Sequence, residues 1–422
     1  MKRLMLAAGL LAVLLTCRPG WTRTLEEVLK EKGVITEADF KEVAGSKPVA
    51  YQPGKGFTFT SSNGKFQLSL AGRGQFQYQY VDKDDVNGVA QETSLWRIRR
   101  FKVSMGGYAF TPDLTYRVQM DLAKSGTAQM LDDAWINYRF ADAAQIQAGQ
   151  FKMPFSRQEL TSDGALQFVD RANAVDVFKP SYDVGAMAQG KVAGGMLAWN
   201  AGLFNGTGQS GMRTTNSGAW AARLVFNPFG ELPYSEADLG NTPKPLLSLG
   251  ADYFANTLKR NGNATFLDTG STVPAYAGTS GWLGKAAANT VIFDNTERVD
   301  VGTYGFDAAF RWRGLSAQGE YFGGKAEGRS QGRTVHSRGY YGQAGYFLLP
   351  KKLEVAGRYS SVDPNRNKDR DLQVEVTGAV SYYFEGHNLK LQGDYTNIHI
   401  QQAVGKQATD DKQVRVQAQL AF

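Results

Sequence analysis

Residues 64–81 read GKFQLSLAGRGQFQYQYV, and their polarity alternates along the whole stretch. Apolar residues or glycine occupy the even positions from 66 to 80, whereas Lys, Gln, Ser, Ala and Arg occupy the odd positions before them. Successive side chains of a β-strand point to opposite faces of the sheet, so the segment predicts one long strand with an apolar and a polar face. Strands of soluble proteins have about 5–6 residues, and this one is much longer.

The same alternation recurs through the chain as far as its last residue, Phe422. It predicts sixteen strands, at residues 64–81, 94–110, 113–122, 130–140, 144–152, 183–192, 196–204, 218–227, 246–255, 299–312, 315–323, 338–347, 352–362, 371–384, 388–397 and 411–422. Tight turns alternate with long loops between them, as in outer-membrane barrels. One expected turn, at 228–245, is long: either a strand boundary differs there or the turn folds back into the lumen.

The polar face carries charges such as Arg73, Arg117 and Asp121, which are costly to expose to lipid. The opposite face carries Tyr, Phe and Trp near strand ends, which is typical of the aromatic girdles at a membrane surface. We therefore predict an all-β fold, a 16-stranded antiparallel transmembrane β-barrel with a short N-terminal helical segment and a watery lumen. The alternative is a soluble sandwich with one solvated face.

Composition excludes several classes of protein. The single Cys excludes an internal disulfide framework and thiolate-rich metal sites, and three scattered His residues make a His-based site improbable. The formal charge of +7 is spread over 422 residues, unlike the dense patch of a nucleic-acid binder. Neither a G-x-S-x-G motif nor a His-paired nucleophile is visible. We expect no enzyme activity, no cofactor, no metal and no nucleic acid.

The N-terminus divides into three parts. Residues 1–23 predict a signal peptide, because Lys2 and Arg3 precede an apolar run too short to span a bilayer. The LLTC stretch before Arg18 loosely resembles a lipoprotein cleavage box, which leaves lipidation open. Residues 24–56 predict a periplasmic helical segment, ended by Gly33 in a left-handed conformation, and a linker. Residues 57–422 are then the barrel.

The parity of the alternation changes near Arg99 and Arg100. Arg97 and Arg99 share one parity with each other, whereas Arg100 and Lys102 share the other. A β-bulge between Arg99 and Arg100 would keep all four charges off the lipid face. The alternative is a frayed strand end whose arginines meet lipid phosphates.

On this assignment the lumen carries more Arg and Lys than Asp and Glu, which favours anions over cations in a pore. The 31-residue segment 152–182 carries its own apolar residues and predicts a loop that folds inward as the constriction, the alternative being a lid outside the barrel. The candidate residues of the lumen and constriction are Arg73, Arg97, Arg99, Arg100, Lys102, Arg117, Arg139, Lys152, Arg157, Arg171, Arg223 and Arg358.

Five stretches resemble the phosphate-selective porin O/P family: WRIRR at 96–100, LTYRVQMD at 114–121, DAWI at 133–136, GQFKMPFS at 149–156 and FVDR at 168–171. The resemblance spans nearly the whole mature chain. It implies a homotrimer of 16-stranded barrels in the lipid of a Gram-negative outer membrane. It also implies passive uptake of small inorganic anions, phosphate or polyphosphate, through lumen Arg and Lys.

A general-diffusion or sugar porin without phosphate selectivity is the alternative function. Trp135 and Tyr383 have lumen parity and would supply the aromatic surface on which sugars slide.

Overall fold

The computed structural model describes residues 29–34, 36, 49–84, 91–124, 130–209, 217–261, 265–266, 275–277, 281–287, 293–294, 297–401 and 408–422. The predicted signal peptide, 1–23, lies outside these ranges. The chain divides into two units, residues 1–50 and 51–422. In the first unit, residues 29–31 are helical and Gly33 follows with a φ of 69°, so the predicted left-handed helix end is confirmed.

Sixteen long strands form the second unit. They are β1 (Phe66–Lys83), β2 (Gln91–Ala109), β3 (Thr111–Asp121), β4 (Leu131–Ala141), β5 (Ala144–Lys152), β6 (Tyr182–Val192), β7 (Leu197–Phe204), β8 (Ala219–Phe226), β9 (Leu246–Asn261), β10 (Arg298–Trp312), β11 (Leu315–Gly328), β12 (Thr334–Leu349), β13 (Leu353–Asp363), β14 (Gln373–Glu385), β15 (Leu389–Ile400) and β16 (Thr409–Ala421). Each pairs antiparallel with its neighbours, and β16 pairs with β1. The predicted 16-stranded antiparallel barrel is confirmed.

Three strands extend by four or more residues beyond their predicted ends on the side of the long loops: β9, β11 and β12. Their outward-facing extra residues are polar or charged, such as Lys259, Lys325 and Glu327, so the outer hydrophobic face ends while the backbone ladder continues. Beyond the membrane a strand needs only hydrogen bonds from its neighbours, not an apolar face.

The predicted linker also differs, because it contains short strands. Val49–Gln52 is extended, and Gly56–Thr60 pairs with the start of β1, with Phe57 opposite Leu70. This pairing continues the edge of β1 from the point where Ala421 of β16 lies opposite Arg73. The segment thus prolongs the seam at which the barrel closes.

The short helices lie in the connections. They are α1 (Arg157–Leu160), α2 (Asn173–Phe178) and α3 (Trp282–Ala287), with single 3-10 turns at Asp163–Ala165, Ala193–Gly195 and Ala275–Ala277. In the described part of the chain, no helix has the length and apolar character needed to cross a membrane.

The parity change in β2 is a β-bulge. Gln75 of β1 lies opposite Arg100, and the next residue, Phe76, lies opposite Ile98, so Arg99 is the extra residue. The predicted bulge is therefore confirmed. It returns Arg100 and Lys102 to the inner face, where both are buried.

The two faces of the wall differ as the alternation predicts. The outer face exposes large apolar side chains such as Trp96, Ile136 and Val380. The inner face carries buried polar and charged groups such as Gln77, Asp307 and Arg415. This is the reverse of a soluble barrel and suits lipid outside and water inside.

The long connection between β8 and β9, at residues 228–245, folds back into the lumen. This is the second of the two alternatives given for that stretch. Glu236 in this connection is buried, and its amide donates to the carbonyl of Ala165 at 3.0 Å. The strand boundaries on either side, at Phe226 and Leu246, agree with the prediction.

Candidate functional site: the barrel lumen

The loop between β5 and β6 lies inside the barrel and is held by its own apolar side chains. Phe155 and Phe178 are fully buried. The ring of Phe155 contacts Phe254 of β9 with centroids 5.0 Å apart, and Phe178 stacks on Phe322 of β11 at 5.5 Å. Burying one such side chain stabilises the fold by about 1.5–3 kcal/mol, enough to keep the loop on this wall.

Wall carboxylates fix the start of α1. Glu320 of β11 accepts the backbone amides of Arg157 at 2.9 Å and Gln158 at 2.7 Å, and Asp252 of β9 accepts that of Ser156 at 3.1 Å. The first amides of a helix have no partner within the helix, so these carboxylates supply acceptors that the loop itself lacks.

Asp163 joins the loop to β1 and β2. It pairs with Arg73, with Lys102 at 2.8 Å and with Arg100 at 3.1 Å. Burial raises the pKa of the Asp163 carboxyl, but these three positive charges outweigh it and hold that pKa well below its usual range. Asp163 is therefore ionised at neutral pH and neutralises part of the basic wall.

Asp170 makes a second junction, with β2 and β16. Its carboxylate lies 2.9 Å from Arg100, 3.0 Å from Arg99 and 3.2 Å from Arg415. Burial raises the pKa of Asp170, yet the positive charges of Arg100, Arg99 and Arg415 lower it well below the usual range.

Glu159 forms ion pairs with three basic side chains at the base of the loop. Arg171 lies 3.1 Å from it, Lys179 3.4 Å and Lys152 3.6 Å. Burial again raises the pKa of this carboxyl, and the surrounding charges, led by Lys152, lower it far more. One buried carboxylate thus binds both ends of the loop together.

The connection between β8 and β9 meets the loop from the opposite end of the barrel. Glu236 accepts the Gln158 side-chain amide at 2.6 Å and the backbone amide of Gln167 at 2.7 Å. The guanidinium of Arg157 donates to the carbonyls of Leu232 at 3.3 Å and Pro233 at 3.0 Å. The two segments form one body that fills part of the lumen.

The twelve predicted site residues separate into two sets. Six are buried, with less than a tenth of each residue exposed: Arg100, Lys102, Arg157, Arg171, Arg223 and Arg358. Arg223, for example, pairs with Asp252 and with Asp307 at 2.7 Å, and Arg358 lies over the ring of Phe168. Such groups are already paired and shielded, and they hold the loop and wall; contact of the twelve residues with a solute stays a prediction.

The other six keep contact with lumen water. They are Arg73, Arg97, Arg99, Arg117, Arg139 and Lys152. Arg117 has 43% of its side chain exposed and reaches Asp133 only at 3.5 Å. Arg139 lies at the turn end of β4, where it pairs with the exposed Asp113.

A cavity of about 640 Å³ lies between the loop and strands β1 to β4. Lys55, Arg73, Lys102 and Arg117 line it together with Trp135, and among its described lining residues there is no Asp or Glu. A second cavity of about 440 Å³ lies between α1 and strands β5 to β8, lined by polar side chains that include Lys191 and Glu231. The open part of the lumen is therefore on the side of the N-terminal strands.

Sequence reasoning missed Lys55 and Glu236. Lys55 lies in the expected linker, and Glu236 lies in the anomalously long turn, whose length was the one available signal. Of the two aromatic residues with lumen parity, Trp135 lines the larger cavity, whereas Tyr383 is fully buried and donates to Glu354 at 2.7 Å. In the described residues no group of His, Cys, Asp or Glu is arranged to hold a metal ion.

Known proteins with the same architecture are outer-membrane porins. The fold is similar to the anion-selective porin from Comamonas acidovorans (13% identity, 84% of this chain and 99% of that one, TM-score 0.56) and to the trimer form of OmpT from Vibrio cholerae (10% identity, 84% and 99%, TM-score 0.52). An uncharacterised protein of Aquifex aeolicus is 25% identical over 92% of this chain and 93% of its own length. The family model described as "Phosphate-selective porin O and P" matches residues 70–422, so the chain belongs to that family of outer-membrane porins.

Proposed function

We propose that this porin is an anion channel and that phosphate or polyphosphate are its solutes. The larger cavity carries the proposal: Lys55 and Arg117 line it as exposed basic side chains beside the paired Arg73 and Lys102, and its described lining contains no carboxylate. The anion-selective porin of Comamonas acidovorans, which has a similar fold, agrees with this reading.

The electrostatic argument depends on accessible charge. Asp163, Asp170 and Glu159 neutralise buried cations, so these cations contribute little attraction at a distance. Arg117 and Lys55 remain exposed beside open space. Positive charges on the wall of a narrow aqueous path lower the barrier for anions and raise it for cations, and arginine can bind two phosphate oxygens at once.

We also propose that the porin assembles as a homotrimer in the outer membrane, in contact with its lipid. The family and the trimer form of OmpT, which has a similar fold, support this assembly. Closed rotational symmetry is the usual arrangement of soluble and membrane homo-oligomers.

The test is a planar bilayer measurement on the purified porin. In a KCl gradient we expect a reversal potential that indicates preference for chloride, and inorganic phosphate should block the chloride current at low concentration. The double variant Lys55→Gln/Arg117→Gln should lose much of the preference, because both charges leave the cavity while the ion pairs of the loop remain. Lys412→Gln, on the outer face, is the matched control and should behave as the wild type.

Each contrary result has a defined meaning. A cation-selective reversal potential would overturn the anion channel. Anion preference without block by phosphate would leave a general anion pore. Current block by maltodextrins that disappears in Trp135→Ala would favour the sugar porin, for which Trp135 in the cavity is the supporting observation.

A further inference from the structure

Basic residues gather on the outer face of the barrel at the loop ends of β9, β10 and β11. Lys259 lies directly opposite Arg298, and the amide of Arg329, just beyond β11, donates to the Arg298 carbonyl at 3.0 Å. Lys325 lies opposite Gly302, four residues along β10 from Arg298. All four side chains are exposed, and we call them the rim patch.

Aromatic residues lie directly below the rim patch on the same outer face. Tyr253 is opposite Tyr304, and the Trp220 ring lies 5.0 Å from that of Tyr253. Tyrosine and tryptophan prefer the level where the hydrocarbon meets the headgroups. Lys325 is two residues above this row and Arg298 six, or about 7 Å and about 20 Å along the strands. The rim patch therefore begins in the headgroup layer, on the side of the long external loops, and rises above it.

Two of the four cations are neutralised within the protein. Lys325 pairs with Glu327 at 2.7 Å, and Arg329 binds both oxygens of Asp300 at 2.8 Å. Lys259 and Arg298 have no carboxylate within ion-pair distance in the described part of the chain. The rim patch thus keeps an excess of positive charge at Lys259 and Arg298. A groove of about 570 Å³ lies beside them, lined by Trp220, Tyr253 and Tyr304 and by the two ion pairs of Lys325 with Glu327 and Arg329 with Asp300.

The excess is local to these strands. On the far side of the barrel, the outer positions at the same ends of β16, β1 and β2 carry Asp410, Asp82 and Glu92, with Lys412 as the basic residue among them. Counting Glu327 and Asp300 beside the four cations, the rim patch is net basic, whereas the far sector is net acidic. The basic sector therefore points to an anionic partner that lies beside the outer wall.

We propose that the rim patch binds the phosphorylated headgroup of a lipid in the outer leaflet, with the acyl chains lying against the apolar wall below the tyrosines. Phosphate is the anion found at the level of Lys325, and a large headgroup that rises from the leaflet would meet Lys259 and Arg298 above it. The site lies outside the lumen, so it depends on the outer-membrane location of the porin and not on its ion selectivity.

The test measures binding of diphosphorylated lipid A to the purified full-length porin in detergent, by native mass spectrometry. The wild type should retain the lipid, and Lys259→Gln/Arg298→Gln should bind it about tenfold or more weakly, since each basic residue near a lipid phosphate contributes about a fivefold change in affinity. Lys412→Gln removes one exposed rim lysine elsewhere and should bind as the wild type. Equal binding by the double variant and the wild type would overturn the site.

Two further binding measurements distinguish a phosphorylated lipid from inorganic phosphate as the ligand. Dephosphorylated lipid A should bind weakly, and inorganic phosphate at the same concentration should not displace the diphosphorylated lipid. Full displacement by inorganic phosphate would mean a simple anion site and would overturn the lipid assignment. The bilayer selectivity of the double variant should equal that of the wild type, so failure here and failure of the anion channel are distinguishable.

Discussion

Asp170 shows why a lumen rich in arginine is not by itself an anion filter. Its carboxylate lies within 3.2 Å of Arg99, Arg100 and Arg415, which reach it from two strands. Each of these arginines stabilises a charge that the protein itself supplies. Under the proposed function, anion preference therefore belongs to the exposed basic residues, such as Arg117.

Replacing Asp170 with Asn should destabilise the porin by about 3 kcal/mol, because it removes one of the two carboxylates that pair with each of the buried Arg100 and Arg415. The midpoint of thermal unfolding, followed by circular dichroism in detergent, measures the loss. Asp113→Asn removes the exposed partner of Arg139 and should cost less than about 1 kcal/mol. Equal effects of the two variants would show that the Asp170 junction does not hold the loop.

The difference in stability between the wild type and Asp170→Asn should also depend on pH. The pKa of Asp170 is lowered in the folded protein, so its contribution is complete above the unfolded-state pKa of about 4 and is lost as pH falls below it. The stability difference between wild type and Asp170→Asn should be equal at pH 7 and pH 5 and should shrink below about pH 4. A difference that shrinks already between pH 7 and pH 5 would contradict the lowered pKa.

At the scale of elements, the lumen is occupied by two connections that enter from opposite ends. The β5–β6 loop supplies most of the apolar anchors, and the β8–β9 connection supplies Glu236, which accepts hydrogen bonds from Gln158 and Gln167. Each connection packs into a hydrophobic cluster of its own, the loop with Phe155 and Phe178 and the connection with Ala237 and Leu239. Their mutual hydrogen bonds join the two segments and leave the larger cavity beside β1 to β4.

Glu236→Ala should loosen this contact. It leaves the amide of Gln167 without its side-chain acceptor and removes one of the two acceptors of the Gln158 side chain, at a cost of about 1–3 kcal/mol. We expect noisier single-channel currents and faster proteolysis within residues 153–181. Glu231→Ala changes the same connection but removes only an exposed pair with Lys191, and its traces should match the wild type. Quiet currents in Glu236→Ala would mean that the loop is held without the connection.

At the scale of the whole molecule, the barrel closes where its last residue meets its first strand. The backbones of Gly72 and Phe422 exchange two hydrogen bonds, at 2.8 and 2.9 Å. The Phe422 ring covers Gly72 so closely that a Cβ atom there would overlap it. The glycine makes room for the terminal aromatic residue at the seam.

Gly72→Val should therefore reduce the yield of closed barrel. The overlap displaces Phe422 or the strand end, at about 1–3 kcal/mol for overpacking. Refolding from urea into detergent, scored by the mobility of the unheated protein on a gel, measures the yield. Gly378→Val places the same side chain on the outer face of β14, where the added Cβ atom meets nothing within 4 Å, and should refold normally. Equal yields would show that the seam tolerates displacement.

The alternation of apolar and polar residues along the chain determined the barrel fold. A strand that borders both lipid and water must alternate, and this constraint acts at every residue, so the sixteen strands, their faces and the bulge at Arg99 could be predicted from the sequence. The loop ends of β9, β11 and β12 escaped prediction because the constraint stops at the membrane surface.

Only the tertiary structure decided which charges remain for a solute. Parity places Arg100 and Arg117 alike on the inner face, but the first is buried against Asp163 and Asp170 and the second borders open space. The partners of Arg100 come from the β5–β6 loop, far away in sequence, and no local pattern encodes such a meeting. The strength of an electrostatic site depends on burial and counter-charge, which exist only once the loop is packed inside the barrel.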